Sequence, residues 1–168
     1  MFSRPKPPNK DQQYTVQKLF AELKNHFELY KQLMDKPFPE TPQPWESTEK
    51  NMRQSLLDQR AYLMDIKKPL ELIDSTIGQI IRAWPEGKRP FTILTDWLTA
   101  NKKQVDNFIE ANRLWDGPDP TGSIASKKRQ QLTTENRRLQ QVMDDSLARS
   151  AEQIYNLTGI NILNWIAG

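Results

Sequence analysis

The sequence predicts an all-α protein: a four- to five-helix bundle with an extended basic N-terminal arm and an apolar C-terminal tail. Three observations predict it. Apolar residues recur three and four positions apart through four long stretches, the spacing of one helix face. Segments rich in proline and glycine separate those stretches. No stretch alternates apolar and polar residues for more than a few positions, so no strand is expected. The division that follows is an arm over residues 1–9, a bundle over 10–158 and a tail over 159–168.

The first helix is expected over 10–35. Val16, Leu19, Phe20, Leu23, Phe27, Tyr30, Leu33 and Met34 form its stripe. Asn9 with Gln12 three positions later has the form of a capping box, and Asp11 suits the positive end of the helix dipole. The segment KPFPETPQPW carries four prolines within residues 36–45. Proline lacks the amide donor and steers its predecessor away from helix, so a stiff extended connector is expected there.

A second helix is expected over 47–84. Met52, Leu56, Leu63 and Ile66 lead its stripe, and Leu70, Ile73, Ile77, Ile80, Ile81 and Trp84 continue it beyond Pro69. Lys67 and Lys68 offer no N-cap for a fresh start, so one helix kinked at Pro69 is expected. PEGKRP, residues 85–90, reads as a break. A third helix is expected over 92–115, capped by Thr92 or Thr95, with Leu94, Trp97, Leu98, Val105, Phe108, Ile109 and Trp115 as its face. Gly117, followed by Pro118, stands where a left-handed C′ residue belongs.

The last helix is expected over 123–158, with Leu132, Leu139, Val142, Met143, Leu147, Ala151, Ile154 and Leu157 on its face and Gly159 as its C-cap. Its first third is polar and basic. The closing segment INILNWIAG is apolar and uncharged.

Composition bounds the function. The chain has 168 residues, the size of one domain. Charged residues make up 27% and the mean hydropathy is −0.79, so a soluble protein without a membrane span is expected. The apolar content of 36% suits a thin core, as in a helical bundle or an obligate oligomer. There is no cysteine, which removes disulfide and thiol chemistry. No apolar leader opens the chain, so no secretory signal is expected and the sequon at Asn156 carries no weight.

Nothing in the sequence resembles catalytic machinery. His26 is the one histidine and lies mid-helix beside the apolar stripe. Asp144 and Asp145 are neighbours on a helix and point about 100° apart, so they do not converge on one substrate. Asp116 and Asp119 lack the alternating ligands and closing glutamate of a calcium loop. PEGKRPF contains Gly-Lys without the phosphate-cradling frame around it. No enzyme, cofactor, metal or small-molecule substrate is expected.

What stands out is uneven charge. The arm carries Arg4, Lys6 and Lys10 with no acid in its first ten residues. Residues 121–138 carry Lys127, Lys128, Arg129, Arg137 and Arg138 against Glu135 alone. Such zones suit a polyanion, because lysine and arginine displace counterions condensed on phosphate. Gln130, Gln131, Thr133, Thr134 and Asn136 can hydrogen-bond phosphate or sugar without reading sequence. The alternative is a solvated helix end and a disordered leader. In the tail, Ile160, Ile162, Leu163, Trp165 and Ile166 require cover, either from their own bundle or as a subunit interface. Trp45, Trp84, Trp115 and Trp165 fall near element ends, a placement that suits packing under loops or between subunits.

The arm MFSRPKPPNK and the helical stripes from Tyr14 to Leu157 resemble, in architecture over the whole chain, the major coat proteins of filamentous archaeal viruses of the lipothrixvirus and rudivirus type. The resemblance implies a non-enzymatic virion subunit that wraps double-stranded DNA and assembles into a helical filament. It further implies self-association, with a second homologous coat protein as a partner, and phosphate contacts at Arg4, Lys6 and Lys10. The high glutamine and asparagine content departs from what a hot environment favours. The competing expectation is a cytoplasmic helical adaptor or chaperone that binds a protein partner in a groove.

Overall fold

The computed structural model of the chain describes residues 4–166. Residues 1–3 of the expected arm and 167–168 of the expected tail lie outside the described residues. Four helices make up the fold: α1 (Lys10–Asp35), α2 (Glu49–Ala83), α3 (Lys88–Trp115) and α4 (Ser123–Thr158). Three short 3-10 turns, Pro44–Glu46, Pro85–Gly87 and Ile162–Trp165, complete it. There is no strand among the described residues.

Each helix packs against the next, antiparallel. Gln12 at the start of α1 reaches Glu86 just past the end of α2, while the Tyr62 hydroxyl donates to the Lys36 carbonyl beyond the end of α1 (3.2 Å). Arg60 and Lys67 of α2 meet Asn112 and Asp106 of α3. Gln104 and Asn107 of α3 meet Asn136 of α4. The molecule is therefore a rod whose long axis follows α4. With 36 residues at 1.5 Å each, α4 is about 54 Å long.

Helix starts follow local chemistry. At α1 both arms of the capping box form: Asn9 Oδ1 accepts from the Gln12 amide (3.0 Å) and Gln12 Oε1 accepts from the Asn9 amide (3.1 Å). Thr48 caps α2 through the Asn51 amide. α2 runs unbroken through the buried Pro69.

α3 begins at Lys88, four residues before the expected start. Pro90 does not delay it, because the amides of a helix's first turn have no intrahelical acceptor and a missing donor costs nothing there. Thr92 and Thr95 are not caps. Their hydroxyls donate back to the carbonyls of Lys88 and Phe91 inside the helix.

Gly117 is not a left-handed C′ residue. α3 closes with tight turns instead, the amides of Asp116 and Gly117 donating to the carbonyls of Arg113 and Leu114. Gly159 does cap α4, with φ of 74°.

The connector over 36–48 lies along the first half of α2. Ser55 Oγ donates to the Glu40 carbonyl (2.8 Å) and Gln59 Nε2 to that of Pro39 (3.1 Å), so two α2 side chains satisfy a backbone that prolines leave without a ladder.

The core is aromatic where α1, α3 and the tail meet. Phe27 packs on Trp97 and Trp165, with ring centroids 5.6 and 6.0 Å apart, and Phe20 packs on Phe91 and Trp165. The tail touches both α1 and α4. Ile162 and Trp165 are buried, the latter 9% exposed, and Ile160, Leu163 and Ile166 are half-buried against the same core. Of the two covers expected for these five residues, their own bundle supplies it, fully for Ile162 and Trp165 and in part for Ile160, Leu163 and Ile166, so Ile162 and Trp165 are core residues and not a subunit interface. An apolar segment following Gly159 finds α1 within reach, and the chain turns inward. The tryptophans divide: Trp84, Trp97 and Trp165 are core residues, whereas Trp45 is 80% exposed and Trp115 is exposed.

Candidate nucleic-acid interface

The basic arm does not project freely over its described length. The Lys6 amide donates to the Glu86 carbonyl (3.2 Å) and the Trp84 indole donates to the Lys6 carbonyl (2.8 Å). Trp84 is fully buried. Its ring lies against Gly87, where a Cβ would collide with it, so glycine at this turn allows the arm, the turn and α3 to close together. Gln12 Nε2 adds a hydrogen bond to Glu86 Oε2 (3.0 Å). The Glu86 carboxyl is held below the ordinary range, first by that Gln12 bond and also by the Lys6 ammonium.

Docking brings together cations that are far apart in sequence. Arg4, Lys6 and Lys10 share one end of the rod with Arg82 in the last turn of α2 and with Lys88 and Arg89 at the start of α3. All six are exposed, and none lies within 4.0 Å of a carboxylate oxygen among the described residues. Asp11 and Glu86 are the acids in the same two stretches. Two helix N-termini and two C-termini meet at this end, so the macrodipoles oppose one another and the side chains set its charge. The last turn of α4 and the tail add no charged residue. Arg82, Lys88 and Arg89 were missed in the sequence because each belongs to a locally mixed segment.

The second basic zone divides. Lys128 pairs with Glu110 of α3 (3.5 Å), an exposed pair of the kind worth about 0–1 kcal/mol. Arg129 is engaged internally. Its guanidinium stacks on the Trp115 ring at 3.8 Å, Nη1 donates to the Pro120 carbonyl (2.6 Å) and Nη2 to Ser126 Oγ (3.2 Å). Arg129 therefore ties the loop after α3 to the first turns of α4, an internal engagement that competes with the phosphate contact expected of it. Lys127 and Arg138 on the outer face of α4, and Arg137 beside the α3–α4 groove, are exposed with no carboxylate within 4.0 Å among the described residues.

The two basic zones do not merge. The arm lies at the end where α4 finishes, and Lys127 lies 31 residues before that point, about 46 Å of helix. The arm and residues 127–138 therefore stand as two separate basic zones.

At the Lys127 end there is also an apolar groove of about 520 Å³, lined by Thr41, Met52, Leu56, Gln59, Trp115 and Pro120. α1 stops short of this end, so the connector lies beside α2 where α1 would otherwise pack. No helix among the described residues is long and apolar enough to cross a membrane. His26 is half-buried, and among the described residues no three histidine or acidic side chains cluster closely enough to hold a metal. Asp144 and Asp145 bond to Gln140 and Arg149 on their own helix. Compared with protein-family models, with curated proteins and with solved structures, the chain gives no match.

Proposed function

We propose that the protein is a non-enzymatic structural nucleoprotein subunit that binds and packages double-stranded DNA without reading its sequence. One observation carries this reading: six exposed cations from three segments, none within 4.0 Å of a carboxylate oxygen among the described residues, share one end of the rod. Arginine and lysine in such a group release counterions from the phosphate backbone, which favours binding of any sequence. Assembly into a helical filament, as in a virion coat, belongs to the same proposal. Ile162 and Trp165 of the tail are buried, so they are not part of that subunit contact. The test is a salt titration of binding to unrelated duplexes. Affinity should fall linearly on log–log axes and be equal across sequences. Salt-insensitive binding or no binding defeats the proposal.

The groove at the opposite end favours a second reading, a cytoplasmic adaptor that takes the apolar face of a partner helix beside Met52, Leu56 and Trp115. Under it, Leu56→Glu abolishes partner capture while charge reversal at Lys88 and Arg89 changes nothing.

A further inference from the structure

We infer that one chain holds two separate DNA duplexes, one at each end of the rod. This rests on the DNA-binding reading above and adds an arrangement to it. The first contact is the arm end, with Arg4, Lys6, Lys10, Arg82, Lys88 and Arg89. The second is the N-terminal half of α4, with Lys127 and Arg138 on its outer face and Arg137 beside the α3–α4 groove, all exposed and without a carboxylate partner among the described residues.

The argument against a single duplex spanning both zones is electrostatic. Helix geometry places Lys127, Gln131, Thr134, Arg138, Gln141, Asp145 and Glu152 on one outward stripe of α4. Its N-terminal part is basic. Its C-terminal part carries Asp145 and Glu152, with Asp144 beside them, and the nearby Arg149 is drawn to Asp145 (3.4 Å). A duplex laid along α4 from one basic zone to the other would set its phosphates against these carboxylates.

The other faces offer no better path. Around the middle of the rod, Lys102 is held by Glu71 and Asp74, Lys67 by Asp106, and Lys24 by Glu28. These cations are already matched within the chain. The two basic zones are thus separated by an acidic stretch of α4 and by a waist of ion pairs. About 30 Å of helix lies between Arg138 and the end of α4. A protein with two such contacts, unable to direct both to one duplex, crosslinks two.

The experiment uses the full chain and two duplexes of the same sequence, one biotinylated on beads and one fluorescent. Retention of protein on the beads reads the first contact, and retention of fluorescence reads the second. Wild type should retain both. The variant Lys127→Glu/Arg137→Glu/Arg138→Glu alters exposed, unpaired side chains, and circular dichroism should match wild type. Its own retention on the beads should stay within about threefold, while fluorescent capture falls about tenfold or more as the phosphate contacts at one end are lost. Wild type that stays on the beads without capturing the second duplex overturns the inference. So does a triple variant that bridges as well as wild type, since bridging would then come from a dimer using its arm ends. Wild type that fails to stay on the beads overturns the DNA-binding reading itself.

Discussion

The buried indole of Trp84 donates its hydrogen bond to the backbone carbonyl of Lys6, 2.8 Å away and 78 positions earlier in the chain. That bond fixes where the basic arm sits, and with it where Arg4 and Lys6 stand relative to Lys88 and Arg89. Trp84→Phe retains an aromatic ring but removes the donor. A net cost of about 1 kcal/mol is expected, with faster proteolysis near residues 4–8 and little change in helix content. Limited digestion followed by mass spectrometry checks it. An arm as resistant as in wild type would show that the bond does not hold it.

Phosphate contacts at the arm end should appear in the salt slope. Lys88→Ala and Arg89→Ala each remove one cation and leave the helix start intact. Each should reduce the slope of log affinity against log salt by about 1, without sequence preference, in fluorescence anisotropy.

The tail is expected to behave as core. Trp165 packs on Phe20 and Phe27, so Trp165→Ala should destabilise the fold by about 3–5 kcal/mol in urea denaturation. Oligomeric state, measured by sedimentation on whatever remains folded, should not change. A variant of wild-type stability would mean that the tail does not pack inward.

Between α3 and α4, Asn107 Nδ2 donates to Asn136 Oδ1 at 2.9 Å, with both residues buried. Asn107→Leu strands the Asn136 carbonyl oxygen and should cost about 1–3 kcal/mol, whereas replacing both with leucine should recover much of that loss. A thermal-melt double-mutant cycle reads the coupling.

Two pH responses follow from the charged groups. Glu86 has its pKa lowered in the fold, chiefly by the Gln12 hydrogen bond and then by Lys6. Its contribution is present above the unfolded carboxylate range and is lost as pH falls through the lower folded value. Lys102 is opposed by partial burial, but Asp74 and Glu71 outweigh it and raise its pKa. Its contribution is present below the unfolded lysine range and is lost as pH rises through the higher folded value. Acid should therefore loosen the arm first, and alkali should loosen the α2–α3 contact first. Amide exchange resolved by segment, at each pH extreme, distinguishes the two. In Glu86→Gln the acid response of the arm should be absent.

Much of the fold was legible in the chain. The capping residue Asn9 and the stripe behind it place α1, and Gly159 ends α4, because capping and periodicity act over a few residues. Pro90 misled the reading of α3, since proline breaks a helix interior but fits its first turn. Gly117 misled it as well, since a helix can also end in tight turns without a left-handed residue.

The sequence by itself determined the helices, the connector and the presence of two basic zones, all of which depend on residues within a turn or two of one another. Only the tertiary structure decided what those zones become. It joined Arg82, Lys88 and Arg89 to the arm and set Arg129 on Trp115. It also turned Trp165 into core and separated the arm from Lys127 by most of the length of α4. Local pattern carries no record of these outcomes, because burial and charge pairing depend on which distant segments the packed helices bring into contact.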